Sequence, residues 1–181
     1  MRLTDNPEKL QLWFELDRDE LDQRYGAVIT TKAKHRWFWN ILDGTFWLFN
    51  GCKETDFMKR ATTIGCIMAF SEDTNLEHIT LYEYVILKHM TVHVKQCATL
   101  GMGETSIGVI PYLLLYLFVP LPILFSWFRF KFERDAFIVE HKFALKCGWT
   151  PNIEDYVQAL KWAWPEAKVR AWFKAALQSM P

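Results

Sequence analysis

The sequence predicts a mainly helical protein with a small β element, an α+β fold in which α dominates. A capping-box signature, Thr80 followed by Glu83, opens a helix that we expect to run to about residue 99. The segment 61–70, ATTIGCIMAF, is apolar and β-branched, which is typical of a strand. After Gly148 the chain restarts with two apolar stripes at helical spacing, which predict a C-terminal helical hairpin.

Three shorter elements precede these. Residues 7–24 carry spaced apolar side chains among charges and should form a helix ended by Gly26. Residues 27–31 should form a short strand. The strongly aromatic run 35–49 should form a helix that ends near Asn50-Gly51.

The chain of 181 residues fits one domain, with no internal repeat or low-complexity linker. We predict a main body over 1–148, with an N-terminal helical region, and the helical hairpin over 149–181 packed on that same domain.

Composition excludes some classes of protein. Lysine and arginine total 21, as do aspartate and glutamate, so there is no basic excess for nucleic-acid binding. Cys52, Cys66, Cys97 and Cys147 form no C-x-x-C pair, which favours free thiols over a disulfide framework or a cysteine zinc site. The charged N-terminus lacks a signal-peptide pattern, so cytoplasmic synthesis is expected.

An uncharged segment, 105–128, is long enough to span a membrane. Pro111, Pro120 and Pro122 interrupt it, however, and proline inside a helix costs on the order of 3 kcal/mol. We predict a short apolar helix, a break at 119–122 and a second helix starting near Pro122. Buried core, membrane contact and a protein interface are the three alternatives for this segment.

The motif LKHMTVHVKQ at 87–96 carries the chemistry. His89 and His93 are four residues apart on the predicted helix, so both imidazoles can reach one metal ion. Zinc suits this pair because it accepts imidazole at about 2.0–2.1 Å. A third protein ligand is needed, commonly a carboxylate from a neighbouring helix.

The helix predicted from Pro122 offers such carboxylates. Glu133 and Glu140 are seven residues apart and share a face. Arg129 lies one turn before Glu133 and could orient it, although the two could equally form an intrahelical ion pair.

Four segments of the chain follow one another in an order that also occurs in a known family. The first two are the predicted strand Thr62-Thr63-Ile64-Gly65 and the His89–Gln96 motif. The last two are the apolar PYLLLYLFVPLP at 111–122, and Arg129 with Glu133 and Ala136-Phe137. In these pieces the chain resembles short zinc metallopeptidase-like proteins of bacteria and phages, of the zincin (gluzincin) type. The resemblance covers about residues 55–145. It implies a zincin-like helical core that holds zinc through His89, His93 and Glu133, with Gln96, Arg129 and Glu140 around these ligands.

Met90 departs from the family pattern. That position of the HExxH motif carries a glutamate, which takes a proton from the metal-bound water. Methionine has no proton to exchange, so we expect a loss of roughly 10²–10⁴ in rate. Glu83 lies about 10 Å away along the helix, too far to substitute. Glu140 or Glu104 could serve only if the fold brings either of them to the site.

The sequence therefore leaves three hypotheses open. In the first, the protein is a pseudoenzyme that keeps its zinc and acts as a structural or interaction protein with a protein partner, including a phage virion component. In the second, it is an active zinc metallopeptidase with another base, or Met90 was introduced to disable it. In the third, it is a membrane-associated protein without metal. We expect no nucleic acid and no small-molecule cofactor.

Overall fold

The computed structural model describes residues 6–49, 57–117, 125–160 and 165–178, without the side chains of 46–49, 113, 115–117 and 125–129. The described helices are α1 (Pro7–Tyr25), α2 (Arg36–Phe49), α3 (Leu81–Leu100), α4 (Thr105–Leu117), α5 (Phe125–Lys146), α6 (Ile153–Leu160) and α7 (Glu166–Gln178). The described strands are β1 (Val28–Thr31), β2 (Thr62–Ile64) and β3 (Ile67–Phe70). The prediction of a mainly helical α+β fold is confirmed.

The strands form one small sheet in the order β1-β3-β2. β1 runs parallel to β3, and β2 runs antiparallel to it. The segment 61–70 is thus a hairpin of two strands, where we expected one. Gly65 makes the difference, because its φ of 61° turns the chain within an otherwise continuous apolar run. A β-carbon there would also lie 2.3 Å from Val109 of α4, so only glycine fits.

Helix α3 is the centre of the fold and begins as expected. Glu83 N donates to Thr80 Oγ1 at 3.3 Å, and Thr80 N donates to Glu83 Oε2 at 2.8 Å, which completes the capping box. One side of α3 meets α1, where the Tyr84 hydroxyl and the Lys88 ammonium both contact the carboxylate of Asp17. Other sides of α3 pack against α4 and α5.

Helix α4 contains a proline in its interior. It begins at Thr105 and continues through Pro111 to Leu117. Proline removes one backbone hydrogen bond there, and we attribute the continuous helix to the packing of α4 on α3. The predicted break at 119–122 lies outside the described residues, and α5 begins at Phe125.

One side of α4 is buried and another is exposed. Tyr112 is 1% exposed, whereas Ile107, Ile110 and Leu114 are 57%, 68% and 47% exposed. Across the described ranges, no helix combines the length and the apolar character needed to cross a membrane.

The two C-terminal helices, α6 and α7, pack together and against α5. Their predicted apolar stripes meet in a buried cluster, to which α5 contributes Phe130. The other buried members are Tyr156, Val157, Leu160, Val169 and Phe173. Trp164 and Cys52 lie outside the described residues, while Cys66, Cys97 and Cys147 are free thiols.

Candidate metal site

Helix α3 directs two histidines toward α5. His89 and His93 lie one helical turn apart, and their Nε2 atoms face each other at 3.1 Å. Both rings are largely buried, with side-chain exposures of 13% for His89 and 6% for His93. The helical spacing therefore brings both imidazoles to a single point, as expected from the sequence.

Helix α5 brings a carboxylate to the same point. Glu133 Oε2 lies 3.3 Å from His89 Nε2 and 3.5 Å from His93 Nε2. The three atoms form a nearly equilateral triangle, and the group could hold a metal ion.

The opposite nitrogen of each histidine has its own partner. His89 Nδ1 lies 2.8 Å from Glu140 Oε2, and His93 Nδ1 lies 3.0 Å from Gln96 Oε1. The Gln96 amide in turn donates to the backbone carbonyl of Phe132 at 3.1 Å. A carboxylate or amide oxygen at Nδ1 accepts the proton there, so in the neutral form of each ring, the form that binds a metal, the Nε2 lone pair is directed into the triangle.

Burial and neighbouring charges shift the pKa values of His89 and Glu133 in opposite directions. Burial would lower the pKa of His89, but hydrogen bonds to Glu133 and Glu140 raise it to about 9. Burial would likewise raise the pKa of Glu133, but the two histidines hold it well below its usual range. Without a metal, the triangle therefore pairs a cationic His89 with an anionic Glu133.

Aromatic rings surround the triangle. The Phe137 ring centroid lies 4.7 Å from that of His89, and the Tyr112 centroid lies 6.4 Å from that of His93. Tyr112 also stacks on Phe132 at 5.6 Å. Sequence reasoning missed Tyr112 and Phe132 as neighbours of the site. Phe137 was detectable, since it shares a helix face with Glu133 and Glu140.

Met90 belongs to the core. Its side chain is 2% exposed and lies in the apolar cluster that joins α1, the sheet and α3. The buried members of this cluster that come from α1 and β3 are Leu10, Phe14, Leu21, Met68 and Phe70.

The candidate substitute bases are placed differently. Glu83 is engaged in the capping box, and Glu104 is exposed beyond the C-terminal end of α3. Glu140 does reach the site, but it contacts the Nδ1 edge of His89, away from the triangle. The side chain of Arg129 lies outside the described ones, so its predicted contact with Glu133 stays a prediction.

The fold and the site together define a mainly helical protein with a candidate three-ligand metal centre between two helices. The chain matches no protein-family model, and no curated protein or solved structure compared with it is similar to it. The zincin-type resemblance thus stays a prediction based on the motifs.

Proposed function

We propose that the protein binds one zinc ion through His89, His93 and Glu133, and that it is a degenerate metallopeptidase-like protein with a structural or interaction role. The observation that carries this proposal is the triangle of ligand atoms with edges of 3.1, 3.3 and 3.5 Å. A tetrahedral zinc ion with ligands at about 2.0–2.1 Å separates them from one another by about 3.3–3.4 Å. The triangle thus has the dimensions of a zinc site.

The donor set also favours zinc. Two imidazole nitrogens and one carboxylate oxygen form a set that zinc commonly accepts in proteins, whereas magnesium and calcium prefer oxygen ligands. Both Nδ1 atoms are already held by acceptor oxygens, so the ligands need little reorganisation to receive the ion.

A structural role follows from where the ligands lie. Because α3 provides two of them and α5 the third, a bound ion would connect the helices that form the centre of the molecule. An ion that binds only the folded state stabilises it by mass action, by about 2.7 kcal/mol at a concentration of 100 times its Kd.

The residues around the site argue against efficient hydrolysis. Zinc supplies Lewis acidity when bound, but activation of water also requires a proton acceptor on the reacting side. Met90 is in the apolar core, Glu133 is used as a ligand, and Glu140 contacts the far edge of His89. We therefore expect metal binding without efficient peptide cleavage.

Metal analysis of the purified protein tests the proposal. The wild type should contain one zinc per chain, and His93→Ala and Glu133→Ala should contain almost none. His78→Ala is the matched control, because His78 is exposed in a loop and should not affect zinc content. Zinc added to chelator-treated protein should raise Tm by roughly 5–10 °C at 100 times Kd. Absence of zinc from the wild type, or equal zinc in His93→Ala, would reject the site.

An active zinc metallopeptidase is the second candidate, and one observation favours it. The side chains of His89 and Glu133 are each 13% exposed, so solvent has some access to the triangle. Cleavage of a peptide library by the zinc-loaded protein, lost in Glu133→Ala, would establish this activity and reject a purely structural role.

For the interaction role, the exposed apolar side of α4 supports a protein partner. A virion component would be present at fixed stoichiometry in purified phage particles, and its absence from them would exclude that role.

A further inference from the structure

We propose that Tyr156, in the C-terminal hairpin, is a positioning residue for the metal site: its hydroxyl holds Glu140, and Glu140 holds His89. This inference rests on the proposed zinc site and adds one residue of the hairpin, Tyr156, to it. The hydroxyl of Tyr156 would act on the metal site through Glu140.

The position of the tyrosine ring supports this role. Tyr156 is 4% exposed, and its ring centroid lies 4.7 Å from that of Phe137 and 5.9 Å from that of His141. These two α5 residues lie on either side of Glu140 in the sequence. The ring therefore packs on the stretch of α5 that carries Glu140, which is itself 5% exposed.

The hydroxyl group lacks a partner. Tyr156 Oη is fully buried and makes no hydrogen bond to any residue that the structure describes. Leaving a buried donor unsatisfied costs about 1–3 kcal/mol, so such a group normally turns toward an available acceptor.

Glu140 is a charged acceptor in these surroundings. Together with burial, its charge raises the pKa of Tyr156 well above the ordinary value, which places the phenol in the field of this carboxylate. Glu140 uses Oε2 for His89 Nδ1, and a carboxylate can accept about four hydrogen bonds in all. A hydrogen bond from the Tyr156 hydroxyl to Glu140 would complete the chain from Tyr156 through Glu140 to His89.

With that hydrogen bond, two routes connect the hairpin to the ligand. The proposed polar route runs from Tyr156 through Glu140 to Nδ1 of His89. The apolar route runs through Phe137, whose ring contacts both Tyr156 and His89 at 4.7 Å between centroids. Replacing the tyrosine by phenylalanine interrupts the first route and leaves the second, which makes the hydroxyl testable alone.

The test is a double-mutant cycle read by zinc affinity. Competition with a chromophoric chelator gives the zinc Kd of the full-length wild type, Tyr156→Phe, Glu140→Leu and the double variant. Loss of a direct partner of a metal-bound histidine typically costs 10–100-fold in affinity, which we expect for Glu140→Leu. Tyr156 acts one step further away, so we expect a weakening on the order of fivefold.

Comparing the effect of Tyr156→Phe in the wild-type and Glu140→Leu backgrounds distinguishes a positioning role from general packing. Tyr156→Phe should weaken zinc binding in the wild-type background and have no effect in the Glu140→Leu background. In the cobalt-substituted protein it should also change the visible ligand-field spectrum, which a change in global stability would not do. Unchanged affinity, or an equal loss in both backgrounds, would overturn the role of Tyr156 while leaving the zinc site intact. A wild type without measurable zinc affinity would reject both proposals.

Discussion

Replacing Met90 by glutamate would restore the HExxH motif, but we expect it to destabilise the protein without restoring a peptidase. The reason is the position of the side chain. Met90 is 2% exposed and packs in the apolar cluster of α1, β3 and α3, so a carboxyl group there would lie among hydrocarbon side chains.

The loss in unfolding free energy caused by Met90→Glu has two parts. A buried carboxyl without partners costs roughly 1–3 kcal/mol even when neutral. Burial also raises its pKa, and a rise of about two units adds roughly 3 kcal/mol at pH 7, at 1.36 kcal/mol per unit. The total of about 4–6 kcal/mol is a large part of the 5–15 kcal/mol typical of a domain. It corresponds to a fall in Tm of roughly 10–20 °C.

Chemical denaturation of the wild type, Met90→Glu and the volume-conserving control Met90→Leu measures this cost. The leucine variant should lose less than about 1.5 kcal/mol. Because the pKa of the new carboxyl is raised in the folded state, its penalty grows as pH rises above the unfolded value and shrinks on acidification. At pH 5 the penalty should therefore fall by more than about 1 kcal/mol.

A Met90→Glu variant as stable as Met90→Leu at pH 7 would refute this reasoning, because the side chain could not then lie in the core. If the same variant gained zinc-dependent peptidase activity, position 90 would face the metal. The protein would then be a peptidase disabled by one substitution.

Two further predictions follow from other contacts. Gln96→Leu removes the acceptor at His93 Nδ1 and should weaken zinc binding about 10–100-fold in chelator competition; an unchanged Kd would contradict the geometry. Burial lowers the pKa of Lys32 from 10.5 to about 8, opposed by Asp43. The folded state therefore loses this proton first, and the stability of the wild type should rise between about pH 8 and 10.5. Between pH 7.5 and 9.5, the unfolding free energy of the wild type should rise by on the order of 1 kcal/mol relative to that of Lys32→Met. Parallel pH profiles of the two proteins would contradict this prediction.

Elements with strong local signals could be predicted from the sequence. Thr80 and Glu83 fixed the start of α3 because a capping box is a short-range interaction. The hairpin within 61–70 was missed, because a glycine turn inside an uninterrupted apolar run leaves the hydrophobic pattern unchanged. The course of α4 through Pro111 was also missed, since it depends on packing against α3, which proline propensity does not include.

The candidate site was also predicted only in part from the sequence. Helical periodicity placed His89 with His93, and Glu133 with Glu140, on common faces. It could not show that the two carboxylates contact opposite edges of the His89 ring, because that arrangement depends on how α3 crosses α5. The burial of Met90 and the approach of Tyr156 likewise depend on elements far away in the sequence.

The small sheet has a consequence for the order in which the chain folds. β2 and β3 are joined by a two-residue turn, so their pairing is local and can form within microseconds. β1 pairs with β3 in parallel, with Val28 opposite Ile67, and about forty residues including α2 lie between these partners. Closing that long loop costs more chain entropy than closing the hairpin. The N-terminal strand should therefore join last, after the hairpin has provided an edge to receive it.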